Sequence, residues 1–448
     1  MLLLYVIMYV ISSRTTYCHL RRFIHVANNE RLRVGYNMAA ATFMTNNRVD
    51  EVAKIVKLNY YSTSDADLIS LFKSWNYPSF RVKQIRQWVY DKGILDFNEM
   101  KDIPIDLRNK LSTIFTVGNL KIAQEQISKD GTRKRAYELH DGQLIESVLM
   151  PYEDGRRTAC ISSQAGCGMG CVFCATGQMG FSRQLSSSEI FEQAQQFSAE
   201  LRQQDLRLSN VVLMGMGEPL ANYDNVLEAI RRIQSELGIG ARHITVSTVG
   251  LVPRIINLAD EKIQIGLAIS LHQTTDEKRS ALMPVNKRYP IAELMDACRY
   301  YVSQTNRRVT FEWALIQGQT DTVETAHELG HLLRGLLCHV NVIPLNPTAG
   351  YAGKPTSKAQ MQQFIDVLAT YGVTCTARIR RGIDIDAGCG QLKADLIRQQ
   401  RQKQKALNSD GTVSACANAE SNALPPKEVQ KVSMLTIDLS SISEPAAR

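Results

Sequence analysis

The chain has 448 residues, a net charge of +8, and ordinary fractions of hydrophobic (44%) and charged (21%) residues. This length allows a full hydrophobic core and predicts two or three domains. Ten cysteines in so long a chain exclude a small secreted disulfide scaffold, and their clustering favours a reducing compartment and metal chemistry. The positive charge has the sign expected for a polyanionic partner, but it identifies none.

Residues 1–48 are predicted to form a variable or targeting extension without fixed structure. Its first eleven residues are apolar, which is too short a run for a membrane span, and no basic residue precedes them as in a signal peptide. Three arginines and no acidic residue within the first 29 residues are typical of an organelle transit peptide. We expect a cytoplasmic protein with no membrane partner. A mitochondrial or plastid location through this extension, and a start at Met38 or Met44, are the alternatives.

Residues 49–117 are predicted to form a small helical accessory domain. After a first helix at 49–57, apolar residues recur at helical spacing within 64–74 and within 80–93, where Arg81, Lys83 and Arg86 occupy the other side. A basic helical module favours contact with a macromolecule such as RNA. An ordinary amphipathic surface would show the same pattern.

Residues 118–157 change to strand periodicity. Three segments alternate apolar and polar residues, and Asp130-Gly131 and Asp141-Gly142 supply the turns between them. The prediction is a three-stranded antiparallel β meander. Glu146 lies in its last strand, where a carboxylate is most often a solvated surface group.

From residue 158 to 398, strand patterns alternate with helical patterns. The predicted strands are 159–163, 210–215, 243–248, 264–271, 309–315 and 339–345, and the helices between them are 187–203, 224–237, 253–259, 290–304 and 322–336. This alternation predicts an α/β fold, an incomplete (βα)6 barrel with its chemistry at the carboxyl ends of the strands. A further strand is expected at 373–380, and the polar residues 399–448 are predicted to be a disordered tail.

Four of the ten cysteines lie within residues 160–174. Cys167, Cys171 and Cys174 form a C-x3-C-x2-C pattern, and interspersed glycines allow this loop to fold tightly. Thiolates bind soft metals and iron–sulfur clusters. A closed zinc site needs four ligands and no histidine lies nearby, so the pattern favours a tetrairon cluster with one iron left open. A zinc knuckle with a distant fourth ligand, or buried core cysteines, is the alternative.

Polar and Gly-rich motifs follow four of the predicted strands. They are Gly217 and Glu218 in MGMGEP, Ser247 in STVG, Ser270, Leu271 and His272 in SLH, and Asn346 in NP. Each alone is more often a capping or turn residue. Together at the mouth of a barrel they predict a ligand-binding site, in which Glu218 could pair with an ammonium group. His272 is expected to hold the ligand rather than to act as a general base.

The cysteine pattern, with Phe173 before its last cysteine, resembles the radical S-adenosylmethionine (SAM) superfamily. The longer string CISSQAGCGMGCVFCATGQMGFSR (160–183) and DIDAGCGQL (384–392) resemble one branch closely, the RlmN/Cfr family of radical-SAM RNA adenine methyltransferases. The resemblance covers residues 65 to 395. It implies a radical-SAM barrel in which the three cysteines hold a [4Fe–4S] cluster and the strand-end motifs bind SAM, two molecules per turnover.

The same resemblance implies roles for three further residues. Cys389, between two glycines, would be methylated on sulfur, and the carbon radical derived from it would add to adenine C2. Cys160 would resolve the covalent RNA–protein intermediate and leave a Cys160–Cys389 disulfide, which the cell reduces. Glu146 is one candidate for taking the C2 proton, and a bound water is the other.

We therefore expect a radical-SAM enzyme that methylates C2 of an adenine in large-subunit ribosomal RNA, with transfer RNA as a second candidate substrate. The basic helical domain and RIRRG (378–382) would contact phosphates. An electron donor such as flavodoxin or ferredoxin would reduce the cluster, and the protein is expected to be a monomer. Two alternatives stay open: C8 methylation of the Cfr type, and a non-catalytic iron–sulfur protein that binds RNA or assists ribosome assembly.

Overall fold

The computed structural model describes residues 57–392. The predicted extension (1–48), nearly all of the predicted helix at 49–57 and the predicted tail (399–448) lie outside these residues. The described part contains the helical segment, the meander and the βα repeats in the predicted chain order.

The N-terminal helical segment has a small core of its own. It contains strand β1 (Leu58–Asn59), helices α1 (Asp65–Ser74), α2 (Phe80–Arg86) and α3 (Ile105–Ile114), and strand β2 (Phe115–Thr116), which pairs in parallel with β1. Ser64 starts α1, because its hydroxyl accepts the Asp67 amide at 3.1 Å. Buried apolar side chains fill the interior: Leu68, Phe72, Ile85, Leu107 and Leu111.

The predicted basic face of α2 is only partly free. Arg86 forms ion pairs with Asp65 of α1 and with Glu236 of the barrel. Its charge therefore joins the helical segment to the barrel. Arg81 donates to a neighbouring glutamine side chain at 2.7 Å, whereas Lys83 is exposed. This helix presents fewer free cations than its sequence suggests.

The three-stranded meander forms as predicted, and it extends the barrel sheet. Strands β3 (Lys121–Ile127), β4 (Arg133–Glu138) and β5 (Leu144–Pro151) are antiparallel. Strand β5 also pairs with β6 (Arg157–Cys160), again antiparallel. Strand β6 belongs to the barrel, so the meander and the barrel share one sheet.

The barrel is built on parallel strands. After a short hairpin of β7 (Gln164–Gly166) and β8 (Phe181–Gln184) come β9 (Asn210–Leu213), β10 (Ile244–Thr248), β11 (Gly266–Ser270), β12 (Val309–Leu315), β13 (Cys338–Pro344) and β14 (Cys375–Ala377). The order across the ten-stranded sheet is β14-β13-β12-β11-β10-β9-β6-β5-β4-β3. Its two edges, β14 and β3, do not pair, which confirms the predicted incomplete barrel. The strand β14 lies where a further strand was expected.

Helices connect the strands and cover the sheet. They are α4 (Ala175–Met179), α5 (Ser187–Gln203), α6 (Tyr223–Leu237), α7 (Val252–Asp260), α8 (Asp276–Leu282), α9 (Ile291–Thr305), α10 (Val323–Leu333) and α11 (Lys358–Thr370). The ends of the five predicted helices agree with the structure to within three residues. No helix in residues 57–392 is long and apolar enough to cross a membrane.

Helix α11 was not predicted, although its sequence carries the signals of a helix. The Ser357 hydroxyl accepts the Gln360 amide at 3.1 Å, which starts the helix. Phe364 and Leu368, four residues apart, are fully buried. The short α8 has a similar cap at Thr275, but its seven residues are too few for a periodic pattern to stand out.

Buried Glu192 joins α5 to the segment that enters the meander. Its carboxylate accepts the backbone amides of Asn119 and Leu120, each at 2.9 Å. Gly118 has φ +79°, and a Cβ there would lie 2.2 Å from Glu192 Oε1. Burial raises the pKa of this carboxyl. The turn therefore depends on a glycine at 118 and an acceptor at 192.

Replacing this acceptor tests its contribution. Glu192→Ala leaves two backbone amides without their acceptor, so we expect the free energy of unfolding to fall by about 1–3 kcal/mol. Urea denaturation followed by circular dichroism measures the change. Glu228→Ala, at an exposed position of α6, is the matched control and should change stability by less than about 0.5 kcal/mol. Equal stability of the two variants would contradict the anchoring role.

Candidate active site

A cavity opens at the carboxyl ends of the parallel strands. Its wall combines the cysteine loop, the ends of β9 to β13 and the Cys389 loop. Most of the predicted site residues line it: Cys171, Cys174, Gly217, Glu218, Ser247, Ser270, His272, Asn346 and Cys389. Cys160, Cys167, Leu271 and Glu146 are not part of this wall.

The cysteine loop folds tightly because glycines permit close approaches. Gly166 has φ +75°, and a Cβ there would lie 2.1 Å from the carbonyl oxygen of Gly180. The Cys167 amide donates to that same oxygen at 2.8 Å. Cys174 then caps α4, and its amide donates to the Cys171 carbonyl at 3.2 Å. The loop thus holds its three thiols on a rigid turn.

The three thiols fit an iron–sulfur cluster. Within residues 57–392, no three His, Cys, Asp or Glu side chains converge as ligands of a single metal ion. The thiols nevertheless lie close enough to interact electrostatically. A cluster matches this arrangement better than one zinc ion, because each thiolate binds a different iron.

Burial disfavours the thiolate forms of Cys167 and Cys171. Desolvation raises the pKa of Cys167 to about 12, and the Cys174 thiol and Glu218 add to the increase. Burial and the neighbouring thiols also raise the pKa of Cys171 well above its usual range. Iron would supply the positive charge that makes thiolate ligands stable here.

Glu218 is a buried carboxylate whose partners are neutral. One oxygen accepts the Leu220 amide at 3.0 Å, and the other accepts the Val249 amide at 2.9 Å. Burial raises the pKa of this carboxyl to about 7, against the opposing effect of these hydrogen bonds and of Thr248. A positively charged ligand group nearby would favour the ionised carboxylate, and the pairing of Glu218 with an ammonium group stays a prediction.

The glycines beside Glu218 serve protein packing as well as ligand access. Gly217 has φ +101°, and a Cβ there would lie 2.5 Å from the Cβ of Gln164. A Cβ at Gly215 would lie 2.7 Å from the Ile161 carbonyl oxygen. Sequence reasoning assigned this turn to ligand approach alone. The structure shows that it must also pass close to the segment after Cys160.

His272 is a neutral hydrogen-bonding residue. Its Nδ1 accepts the Ala314 amide at 2.9 Å, so the ring proton is on Nε2. Burial, followed by Arg279, lowers the pKa of His272 to about 3. The role of His272 in holding the ligand stays a prediction. Leu271 is fully buried behind the cavity, where its amide donates to the Glu312 carbonyl at 3.3 Å.

Arg279 organises the strand ends, and sequence reasoning missed it. Its buried guanidinium donates to the carbonyl oxygens of Val249 (2.6 Å), Ser270 (3.1 Å) and Leu271 (3.1 Å). It also donates to Asn286 Oδ1 at 2.9 Å. These bonds fix the ends of β10 and β11, which carry the predicted ligand-binding residues Ser247 and Ser270. An arginine in a short polar helix gives no sequence signal of burial.

The structure brings the Cys389 loop beside the cysteine loop. The Ala175 amide donates to the Gly390 carbonyl at 2.8 Å, and Asn346 Nδ2 donates to the Cys389 carbonyl at 3.1 Å. The Cys389 thiol is exposed, whereas Cys160 at the end of β6 is buried. Burial and the Cys389 sulfur raise the pKa of Cys160 to about 12, and Arg378 lowers it. The two cysteines therefore lie close enough to interact.

Glu146 is buried, not solvated as its strand position suggested. Its carboxylate lies 3.7 Å from Lys134 Nζ, and Lys134 Nζ donates to the Asp386 carbonyl at 3.4 Å. Lys134 thus connects the meander carboxylate to the loop that carries Cys389. The Glu146 carbonyl also accepts the Ser162 hydroxyl at 2.5 Å, two residues after Cys160.

The three arginines of the predicted phosphate-binding segment 378–382 have different environments. The Arg378 side chain lines the cavity, so it does not belong to an outward phosphate-binding surface. Arg380 is exposed. The Arg381 guanidinium stacks over the Tyr152 ring at 4.6 Å.

An open parallel barrel with three thiols at its mouth defines a radical-SAM enzyme. Residues 161–329 match the radical SAM superfamily, and residues 58–117 match the ribosomal RNA large subunit methyltransferase N-terminal domain. The chain is 50% identical over 347 residues to dual-specificity RNA methyltransferase RlmN 1 of Myxococcus xanthus, covering 77% of this chain and 96% of that protein.

A solved structure agrees with this similarity. The crystal structure of a radical SAM methyltransferase from Sphaerobacter thermophilus is 44% identical, with a TM-score of 0.73, and the match covers 75% of this chain and 99% of that one. The chain belongs to the RlmN-type family of radical-SAM RNA methyltransferases. Its cofactors are a [4Fe–4S] cluster and SAM, and the resemblance seen in the sequence is confirmed.

Removing one predicted cluster ligand tests the thiol assignment. Cys171→Ala should lower iron and sulfide content and the visible cluster absorbance to under about one quarter of the parent, because two thiolates cannot hold the cluster stably. Iron and sulfide assays after anaerobic reconstitution measure this loss. Cys298→Ala is the control, since Cys298 is also buried but lies in α9. Full iron content in Cys171→Ala would refute the assignment.

Proposed function

We propose that this protein methylates C2 of an adenine in large-subunit ribosomal RNA, with transfer RNA as a second substrate. The observation that carries the proposal is that the exposed Cys389 of the cavity wall and the buried Cys160 lie close enough to interact. A protein that only binds RNA needs neither of these cysteines. Adenine C2 has no nucleophilic lone pair, so it cannot attack the methyl group of SAM directly. A radical route is therefore required.

Cys389 is the proposed methyl carrier. Its exposed thiolate takes a methyl group from SAM and becomes a neutral thioether. With the cluster held by Cys167, Cys171 and Cys174 and the SAM amine at Glu218, the cofactors would supply that methyl group and a radical that removes one hydrogen atom from the methyl carbon on the Cys389 sulfur. That carbon would then bond to adenine C2, and the adduct would lose one electron, which the oxidised cluster accepts, and the C2 proton. An unstacked adenine is needed to reach this depth.

Cys160 is the proposed resolving residue. Its thiolate attacks the Cys389 sulfur and forms a disulfide. The bond between that sulfur and the bridging carbon breaks, and its electron pair stays on carbon, which gains a proton and becomes the methyl group. The two cysteines are oxidised together, and a cellular thiol reductant restores them.

Glu146 is the proposed acceptor of the C2 proton. Its carboxylate lies 3.7 Å from Lys134 Nζ. Because Glu146 is not part of the cavity wall, we propose that the proton reaches it through a water. The connection from Lys134 to Asp386 supports a role beside the Cys389 loop.

The RNA surface, partners and domain limits are also proposals. Residues 49–117 would form the accessory RNA-binding domain, 118–157 the meander and 158–398 the barrel with the Cys389 loop. The exposed Arg380 and Lys83 would contact phosphates. A flavodoxin or ferredoxin would donate electrons, and the protein would act as a monomer in the cytoplasm.

Nucleoside analysis tests the reaction itself. Ribosomal and transfer RNA from a knockout strain should lack 2-methyladenosine at sites where the parent strain has it. Mass spectrometry of digested RNA measures the two isomers separately. A loss of 8-methyladenosine alone would replace the proposal with C8 chemistry. No change in either nucleoside would favour a non-catalytic role.

A resolving-residue variant tests the role of Cys160. Cys160→Ala should accumulate RNA bound covalently to the protein, because nothing attacks the Cys389 sulfur to release it. Denaturing gels and mass spectrometry of the Cys389 peptide detect the adduct. Cys338→Ala, also in a barrel strand, is the control and should remain free of RNA. An adduct-free Cys160→Ala protein with an intact cluster counts against the role.

A further inference from the structure

The segment that carries Cys389 is held at two places. Its far end is bonded to the residues after Cys174 through the carbonyls of Gly390 and Leu392. Its near part, residues 382–386, is bonded to the turn 128–132 between β3 and β4, called the meander turn below. The chain that follows one edge strand, β14, is therefore bonded to the turn that follows the other edge strand, β3.

The hydrogen bonds at the meander turn run in both directions. Asp130 Oδ2 accepts the Gly382 amide at 3.0 Å. In return, Asp384 accepts the Ser128 hydroxyl at 2.5 Å on one carboxylate oxygen and the Lys129 amide at 3.3 Å on the other. Each side thus supplies one carboxylate, and each carboxylate is bonded to donors of the other side. This reciprocal pattern fixes the relative position of the two segments.

The backbone of residues 382–387 is shaped for this contact. Gly382 is buried with φ +61°, and a Cβ there would lie 2.9 Å from Thr132 Cγ2. The Ala387 amide donates to the Gly382 carbonyl at 2.9 Å, which closes a tight turn. Asp386, a residue with a side chain, has φ +51°, and its carbonyl accepts Lys134 Nζ at 3.4 Å. A left-handed residue other than glycine persists where its surroundings hold it.

Formation of the meander turn alone does not account for both oxygens of Asp130. Three Asp-Gly turns occur between residues 128 and 156, and in each the aspartate accepts the amide two residues later on Oδ1. These bonds are Thr132 to Asp130 (2.9 Å), Gln143 to Asp141 (3.1 Å) and Arg156 to Asp154 (3.1 Å). One oxygen is therefore enough for such a turn. The second oxygen of Asp130 is bonded to Gly382, outside its own turn.

We propose that Asp130 and Ser128 are positioning residues that dock residues 382–386 on the meander turn, so that only the tip around Cys389 moves during the reaction. This role rests on the sulfur chemistry of the proposed function. In that chemistry the Cys389 sulfur meets the methyl group of SAM, carries its carbon to the adenine and then meets Cys160. A tip that is held on both sides and bends at its flanking glycines makes short movements between fixed positions.

Hydrogen exchange tests the docking contact without RNA or SAM. Asp130→Ala removes the acceptor of the Gly382 amide, so exchange in peptides covering 382–392 of the cluster-loaded protein should be about three- to tenfold faster than in the parent. Mass spectrometry of peptic peptides measures these rates. Asp154→Ala is the matched control, because it removes the same turn bond and its second oxygen accepts Arg156 of its own turn. Its exchange in 382–392 should equal that of the parent.

A double-mutant cycle tests the second bond of the contact. Ser128→Ala and Asp384→Ala each break the bond between this hydroxyl and this carboxylate, so each should make exchange in 382–392 faster. The double variant should exchange no faster than Asp384→Ala, because the same bond is lost only once. Effects that multiply would show independent actions and would overturn the contact. Asp384 is exposed, so this cycle decides the matter even where Asp130→Ala fails to fold.

Steady-state kinetics distinguish positioning from a structural role. In Asp130→Ala, kcat per loaded cluster should fall by about tenfold while the KM values for SAM and RNA stay within about twofold of the parent, because binding is kept and the approach of Cys389 is less well defined. Faster exchange with an unchanged kcat would overturn the positioning role. Unchanged exchange would overturn the docking contact, whatever the RNA product. Faster exchange, in a protein whose parent forms no methyladenosine, would support the docking contact and refute the proposed reaction.

Discussion

The contact between the cysteine loop and the Cys389 loop is the interaction on which the site depends. The Ala175 amide donates to the Gly390 carbonyl, and the Thr176 hydroxyl donates to the Leu392 carbonyl at 2.6 Å. These bonds connect the first turn of α4, directly after Cys174, to the end of the described chain. Without them, the cluster ligands and the proposed methyl carrier would belong to separate parts of the molecule. The order of the parallel strands brings the two loops to the same end of the barrel, and the hydrogen bonds fix their relative position.

The sequence predicted the framework well because the framework repeats. Strands and helices alternate with clear apolar periods, and the ends of the predicted helices follow the structure closely. The cysteine pattern and the strand-end motifs were equally visible, since each is a short string with a known chemistry. Cys160 and Cys389 were paired through resemblance, and the structure places them close enough to interact.

What the sequence did not show is the direction of charged side chains. Arg86 and Arg378 both appeared as surface cations, yet one joins two parts of the fold and the other lines the cavity. Arg279 had no motif around it, although it fixes three strand-end carbonyls. Glu146 is buried against Lys134, whereas a strand carboxylate is most often solvated. These differences have one cause. Hydrophobic periodicity and composition predict which apolar residues are buried, whereas the burial of a charged side chain depends on partners far away in the chain.

The cavity places opposite charges at two ends of the strand order. Glu218 follows β9 and accepts two backbone amides, which are neutral, so it favours a cationic ligand group. Arg378 follows β14, and its guanidinium lies 3.4 Å from the Glu312 carboxylate in a wall that also includes Cys389. The cavity therefore presents a carboxylate at one strand end and a guanidinium at another, well apart in the strand order. Strands β10 to β13 provide that separation, and the Arg279 bonds at the ends of β10 and β11 keep it constant.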